Sequence, residues 1–246
     1  MVILKGSRLT KIYGNGEGAV NAVKDVNISI EKADLAGIIG KSGGGKTTLL
    51  KMLGSMLQPT EGEIVFDNAS MKNLKPDELA EIRRKKMGFL FQDFKLLNSL
   101  NVKENIALPM LLDKTDIDAV SQRVNELLQI LDIEEISGKK IDEISGGQCQ
   151  RVALCRALAN NPAVLFADEP TGNLDTVSTK SVMNCLKKIN DLYGITVVLV
   201  THDYKIASQC HKLFVMKDGC IDRVLNRDEY TEEEFEKEVI HAMDYL

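Results

Sequence analysis

Short apolar runs alternate along this chain with segments in which apolar residues recur every three or four positions. The apolar or alternating runs predict strands, and the helical spacing predicts amphipathic helices. The predicted strands span residues 3–13, 27–30, 35–39, 64–66, 87–91, 163–167 and 195–200. The predicted helices span residues 47–53, 76–86, 102–112, 116–131, 146–158 and 177–193. Because buried strands that alternate with helices pair in parallel, we expect an α/β fold with a mainly parallel sheet.

Other parts of the chain depart from this alternation. Residues 60–63 predict a turn, and residues of about 92–160 are mostly helical in pattern, which predicts an inserted α-helical subdomain. Asp218-Gly219 lies between two short apolar runs and predicts a hairpin, and the acidic residues 228–246 predict an amphipathic surface helix. We therefore expect a single domain over residues 1–246, with a core of 1–91 and 161–246 and a helical subdomain of about 92–160.

Composition and charge narrow the class of protein. The chain has 246 residues, of which 44% are hydrophobic and 27% are charged, as in ordinary soluble domains. The net charge of −5 gives no reason to expect a nucleic-acid partner. The apolar runs are too short to cross a membrane and the N-terminus lacks a signal-peptide pattern, so we expect a cytosolic chain. The five cysteines form no C-x-x-C pair and are expected to be reduced and buried.

A glycine-rich segment joins the strand at 35–39 to the helix at 47–53. It matches the phosphate-binding pattern G-x-x-x-x-G-K-[ST], and its predicted nucleotide contacts are Gly40, Lys41, Ser42, Gly43, Gly44, Gly45, Lys46, Thr47 and Thr48. Glycines allow successive N–H groups to face phosphate oxygens, Lys46 adds a cation, and the Thr47 hydroxyl can ligate Mg²⁺. The competing interpretation is a glycine-rich turn without a ligand. The flanking strand and helix favour the nucleotide, because a helix N-terminus attracts anions.

Polar residues follow three of the predicted strands. Asp168 and Glu169 end the strand at 163–167, where ligands bind in open α/β sheets. Asp168 is suited to hold Mg²⁺ through water, and Glu169 to orient or deprotonate the attacking water. Gln92 follows the strand at 87–91 and can reach Mg²⁺ and that water, while His202 can bond the γ-phosphate. The alternatives are a plain helix cap for the two acids and a structural role for a lone histidine.

Further motifs resemble the nucleotide-binding subunit of ATP-binding cassette (ABC) transporters, and the resemblance covers essentially the whole chain. Residues 144–148 resemble the family's signature motif, and residues 170–175 resemble its loop after the catalytic carboxylate. Tyr13 lies where the family stacks an aromatic ring on adenine. The resemblance implies a P-loop NTPase core, an antiparallel β subdomain on the N-terminal side and an inserted helical subdomain. It also implies an active Mg²⁺-dependent ATPase.

The same resemblance implies how two copies work together. The signature residues face the ATP of an opposing subunit, with Asp175 across the seam, and the residues that would bind that ATP are Ser145, Gly146, Gly147 and Gln148. ATP thus joins a head-to-tail homodimer and hydrolysis lets it separate. The implied partner is an integral membrane permease, which would hold the chain at the inner face of the cell membrane.

Two segments indicate a subfamily. Residues 91–109 and 166–175 resemble the macrolide-exporter, lipoprotein-release and bacitracin-resistance group. The alternative is a cell-division-type ABC switch that signals through a membrane partner without moving a solute. The apolar residues of segment 94–100 either line a groove for a permease helix or belong to the core of the insertion; they are Phe94, Leu96, Leu97 and Leu100.

Overall fold

The computed structural model describes residues 1–245, except for the side chain of Glu17, and these residues form two compact units. The first unit comprises residues 1–80 and the residues from 196 onward, and the second unit comprises residues 81–195. Within residues 1–245, no helix is both long enough and apolar enough to span a bilayer. Whether residues 1–246 act as one domain stays a prediction.

The elements follow each other along the chain in the expected alternation. The N-terminal part contains β1 (Val2–Tyr13), β2 (Val20–Glu31), β3 (Leu35–Gly40), α1 (Lys46–Leu53), β4 (Glu61–Phe66), β5 (Ala69–Ser70) and α2 (Pro76–Lys86). The middle part contains β6 (Met87–Phe91), α3 (Val102–Leu112), α4 (Ile117–Ile130), α5 (Gly146–Leu158), β7 (Val164–Asp168) and α6 (Thr176–Tyr193). The C-terminal part contains β8 (Thr196–Thr201), α7 (Tyr204–Ala207), β9 (Lys212–Lys217), β10 (Cys220–Asn226) and α8 (Glu232–Asp244).

Two kinds of strand pairing build the first unit. Strands β2, β1, β4 and β5 form an antiparallel sheet in that order. In the other pairing, β3 is parallel to both β8 and β9, and β9 is antiparallel to β10. Every residue of β3 and β8 is buried, as expected for central strands of a parallel sheet. The expected mainly parallel core with an antiparallel β subdomain is confirmed.

Helices dominate the second unit. Strands β6 and β7 pair in parallel, with the rings of Phe89 and Phe166 stacked at a centroid distance of 5.5 Å. A capping box begins α3, since the Asn101 side chain accepts from the Glu104 backbone N–H and the Glu104 carboxylate accepts from that of Asn101. The predicted helices at 76–86, 102–112 and 146–158 have the observed bounds.

Several predicted boundaries are wrong. Strand β2 begins at Val20, well before residue 27, and β4 begins at Glu61, inside the predicted turn. The C-terminal helix begins at Glu232 because Thr231 caps it, and residue 246 of the predicted helix lies outside the described residues. The five cysteines are free, as expected, but Cys220 is exposed at the start of β10 and not buried.

Candidate nucleotide-binding site

The phosphate loop is packed against backbone carbonyls that leave no room for side chains at two of its glycines. Gly45, the N-cap of α1, has a φ of 91°, and a Cβ there would lie 2.2 Å from the Ala22 carbonyl oxygen. A Cβ on Gly40 would lie 2.4 Å from the carbonyl oxygen of Met216. Real Cβ atoms do not approach oxygen this closely, so both positions require glycine. The strand and helix predicted on either side of the loop are both present.

Lys46 places its ammonium group inside this loop. It is the first residue of α1 and only 6% exposed. Its Nζ donates to the Lys41 carbonyl oxygen at 2.8 Å, and the Gly44 N–H donates to the same oxygen at 3.1 Å. The ammonium and the N-terminus of α1 thus combine a full positive charge with a helix dipole, and both favour an anion at this place.

Other predicted contacts of the first unit lie at its surface or close to it. Thr47 and Thr48 are half-buried in the first turn of α1, while Ser42 and Gly43 are exposed. Tyr13 is 43% exposed at the end of β1, with the Lys11 ammonium over its ring, 5.6 Å from the centroid. His202 is exposed directly after β8, as its position in the sequence predicts.

In the second unit, the two predicted acids lie at the carboxyl end of a buried strand. Residues 164–167 of β7 are buried, and both Asp168, its last residue, and Glu169 are half-buried. Glu169 has a φ of 47°, in the left-handed region that non-glycine residues rarely occupy. Its carbonyl accepts from the Gly172 N–H at 3.1 Å. Strained backbone of this kind is common at functional sites.

The structure brings Gln92 together with the loop that follows Glu169. The side-chain nitrogen of Gln92 donates to Asn173 Oδ1 at 3.0 Å. A Cβ on Gly172 would lie 2.8 Å from that same nitrogen, so the loop backbone lies directly against the amide. Two residues that the sequence predicts at the ends of separate strands therefore border one loop.

The signature segment, residues 144–148, forms the N-terminal end of α5. The hydroxyl of Ser145 accepts from the Gln148 N–H at 3.3 Å, and Gln148 Oε1 accepts from the Ser145 N–H at 3.0 Å. This capping box fixes the start of the helix, where Ser145 and Gly146 are exposed. A Cβ on Gly147 would lie 2.6 Å from the Ser178 hydroxyl, so α6 passes close by. An exposed helix N-terminus is a suitable surface for an anion from outside the chain.

Asp175 has a structural role that the sequence reasoning missed. Its carboxylate accepts from the backbone N–H groups of Val177 and Ser178 and from the Ser178 hydroxyl, at 2.7 to 3.0 Å. The backbone hydrogen bond from Ser178 is the main reason that the pKa of the Asp175 carboxyl lies below its ordinary value. A capping aspartate three residues before a serine, at the start of a helix, is the signal that could have revealed this role.

The apolar segment, residues 94–100, has a fixed backbone but incompletely buried side chains. Phe94, Leu96 and Leu100 are half-buried and Leu97 is 45% exposed. The guanidinium of Arg156 donates to the carbonyl oxygens of Phe94 and Lys95 at 2.8 and 2.6 Å. These side chains are less buried than those of the core, and the groove for a permease helix stays a prediction.

Sequence reasoning also missed the groups that shape the loops. The carbonyls of Ala22 and Met216 enclose the phosphate loop, and Arg156 holds the apolar segment. Backbone carbonyls leave no signal in the sequence, because every residue carries one. For Arg156, a basic residue within a largely buried helix was the only available signal.

A buried ammonium in a glycine loop at a helix N-terminus defines a nucleotide-binding P-loop. The ABC transporter family model matches residues 23–172, more than half of the chain. The chain is 44% identical over 221 residues to the Bacillus subtilis "Uncharacterized ABC transporter ATP-binding protein YvcR", covering 89% of this chain and 85% of that protein. It is 38% identical over 246 residues to the "Bacitracin export ATP-binding protein BceA" of Halalkalibacterium halodurans, covering 100% and 97%.

A solved structure supports the same family. The dimeric structure of the ATP-binding cassette MJ0796, from Methanocaldococcus jannaschii, in a post-hydrolysis state with ADP and Pi superposes with a TM-score of 0.84. The two chains are 39% identical, and the match covers 91% of this chain and 98% of that one. This chain belongs to the ABC transporter family. It is an ATP-binding cassette that hydrolyses ATP.

Proposed function

We propose that this ABC ATPase powers a membrane permease of the export type, in an antimicrobial-peptide resistance or lipoprotein-release system. The observation that carries the ATP-dependent part is the buried Lys46 ammonium, held inside the phosphate loop by the Lys41 carbonyl. The export part rests on the full-length similarity to a bacitracin export protein and on the motifs of residues 91–109 and 166–175.

The site residues divide into three proposed roles. The phosphate loop and Tyr13 bind ATP, with Lys46 on the β- and γ-phosphates and the tyrosine ring against adenine. Glu169 orients or deprotonates the attacking water, and His202 bonds the γ-phosphate. The half-buried carboxylate of Glu169 and its fixed backbone support the assignment, because a base must hold one orientation to direct a water molecule.

The donors present suit Mg²⁺. From their places in the sequence motifs, Thr47, Gln92 and Asp168 are the residues that we propose would hold the ion, through hydroxyl, amide and carboxylate oxygens, which Mg²⁺ prefers. Among residues 1–245, no group of three or more histidine, cysteine, aspartate or glutamate side chains could hold a metal by itself. In a nucleotide site, phosphate oxygens complete the ligand set of Mg²⁺. Bound there, Mg²⁺ would offset the negative charge of the phosphates during hydrolysis.

The signature segment supports a second proposal, an ATP-dependent homodimer. Its N–H groups and the Ser145 hydroxyl lie at an exposed helix start, a surface that suits the phosphates of an ATP bound to another chain. Each ATP would then be held by the loop of one subunit and the signature segment of the other. The permease would place this dimer at the inner face of the membrane, with the apolar segment against one of its helices.

A signalling role without transport would use the same ATP-binding residues. No contact of the described residues favours it over export, and a transport assay on the complex with the permease distinguishes the two. We therefore retain export as the proposal.

The substitution Glu169→Gln tests the proposed chemistry. Since an amide cannot accept the proton, turnover should fall by about 10²- to 10⁴-fold while ATP binding is retained. The matched control is Glu135→Gln, which alters an exposed acid of the same unit and should hydrolyse ATP at the wild-type rate. Steady-state phosphate release and nucleotide titration measure both quantities. Wild-type turnover in Glu169→Gln would refute the assignment of Glu169.

A further inference from the structure

A buried glutamine connects segments of the second unit that carry separate site residues. Gln150 lies in α5 and has no exposed surface (0%). Its Nε2 donates to the carbonyl oxygen of Phe91 at 3.3 Å and to that of Pro170 at 2.5 Å. Phe91 immediately precedes Gln92, and Pro170 immediately follows Glu169. One amide therefore ties the signature helix to the backbone beside two proposed site residues.

The neighbours of Gln150 fix the orientation of its amide. Both nearby atoms are carbonyl oxygens, which only accept hydrogen bonds, so the Nε2 end must face them. The Oε1 atom is buried and accepts no hydrogen bond from any residue in the range 1–245. Buried acceptors without a partner are rare in folded proteins. The two donated bonds are therefore the hydrogen bonds that this side chain makes within residues 1–245.

Gln150 holds a segment whose backbone is strained. Glu169 has left-handed backbone with a φ of 47°, and the next peptide carries the carbonyl that Gln150 binds. A strained residue keeps its conformation only where its surroundings fix it. On the other side, Gln92 contacts the same loop through its hydrogen bond to Asn173. Gln150 thus holds the loop after Glu169 through the Pro170 carbonyl, and holds the Gln92 segment through the carbonyl of Phe91, the last residue of β6.

We propose that Gln150 is a positioning residue for ATP hydrolysis. It holds the backbone of Glu169 and Gln92 in a fixed relation to the signature end of α5. This inference rests on the proposed function, in which Glu169 and Gln92 act on the attacking water. Because Gln150 is fully buried, it acts through those two residues and not on the substrate, so its effect falls on the rate of the chemical step.

The test replaces Gln150 by methionine, which has a similar shape but no N–H donor. We expect kcat to fall about tenfold to a hundredfold, because small misplacements of reacting groups are costly in rate. ATP affinity and KM should stay within about twofold of wild type, since the phosphate loop belongs to the first unit. Steady-state kinetics, nucleotide titration and thermal unfolding supply the three readouts.

A matched control removes another buried amide from the same unit. Asn190 is 3% exposed, and its Nδ2 donates to the Ile195 carbonyl at 2.9 Å. The nearly isosteric Asn190→Leu should lower thermal stability in the way that Gln150→Met does but leave kcat unchanged. A loss of kcat in both variants, in proportion to lost stability, would overturn the positioning role.

Combination with Glu169→Gln distinguishes this inference from the proposed function. Because part of the effect of Gln150 passes through Glu169, Gln150→Met should slow the residual single-turnover rate of Glu169→Gln by a smaller factor than it slows wild-type turnover. Wild-type turnover in Glu169→Gln would reject the catalytic assignment itself. An inactive Glu169→Gln beside a Gln150→Met enzyme with wild-type kcat would reject only the positioning role.

A second variant at position 150, which keeps the amide group, tests the proposal in case Gln150→Met fails to fold. Gln150→Asn keeps the amide on a shorter side chain, so it should weaken the bonds and reduce kcat less than methionine does, again at unchanged KM. Wild-type kcat in this variant and in Gln150→Met would overturn the proposal. Failure of both variants to fold would assign Gln150 to stability alone and overturn it as well.

Discussion

Single backbone carbonyls decide which residues the phosphate loop can contain. The carbonyl of Ala22 lies where the Cβ of any other residue at position 45 would be, and that of Met216 does the same at position 40. These contacts restrict the loop at positions 40 and 45, and the Lys41 carbonyl holds the Lys46 ammonium inside it. Because a restricted loop loses less conformational entropy when it binds a ligand, this arrangement favours nucleotide affinity.

We expect Gly45→Ala to destabilise the protein more than Gly43→Ala does. Both glycines have positive φ, at 91° and 79°, so each alanine incurs backbone strain of about 1–2 kcal/mol. A Cβ on Gly43 meets no described atom within 4 Å, whereas one on Gly45 meets the Ala22 carbonyl. Chemical denaturation without nucleotide measures the difference in the free energy of unfolding. Equal losses in the two variants would contradict the close approach.

Among the elements, α5 connects the most parts of the proposed machinery. Its start carries the signature segment, Gln150 in its second turn holds the segments of Gln92 and Glu169, and Arg156 near its end holds the apolar segment. A movement of the helix would therefore reach each of them. This is the kind of rigid element through which a partner at the apolar segment could be sensed.

We expect the double substitution of Phe94 and Leu97 by alanine to weaken binding to the permease about tenfold or more, while ATP binding stays unchanged. The reason is that large apolar side chains on a fixed backbone supply much of an interface's energy. The control Leu192→Ala removes a side chain that is 68% exposed in the same unit but outside the apolar segment. Co-purification with the permease measures the effect, and an unaltered yield from the double variant would count against this docking surface.

Long, regular elements could be predicted from the sequence, and irregular ones could not. The prediction of β2 began late because Asp25 has a φ of 47° and the pairing with β1 shifts register repeatedly, which breaks the alternation of period two. Helix α7 has four residues, begun by the Asp203 cap, and is too short to show a period. The phosphate loop, the strand-end acids and the signature segment were visible, because glycines and charges mark them in the sequence.

The contacts of Gln150 could not be predicted for a different reason. Its partners are the backbone carbonyls of Phe91 and Pro170, which lie 59 and 20 residues away along the chain. Carbonyl groups have no residue-type signal, so a glutamine in a helix gives no indication that it joins distant segments. Such roles emerge only when the fold is known.

At the scale of the whole molecule, the proposed ATPase cycle requires two copies of the chain. The signature segment is an exposed helix start, and the phosphate loop belongs to a different compact unit of the chain. The similar cassette MJ0796 has a dimeric structure with ADP and Pi. Binding of ATP between two copies, followed by hydrolysis and separation, would give the permease the two states that it needs.

The most direct test measures the mass of Glu169→Gln in solution by size-exclusion chromatography with light scattering. The protein is measured without nucleotide and then with ATP in the absence of Mg²⁺. We predict a monomer that becomes a dimer when ATP is added, because ATP is bound but not consumed. The control is the double variant Glu169→Gln with Lys46→Ala. It lacks the ammonium of the loop and should stay monomeric when ATP is added. A Glu169→Gln protein that binds ATP and remains a monomer would contradict the shared site.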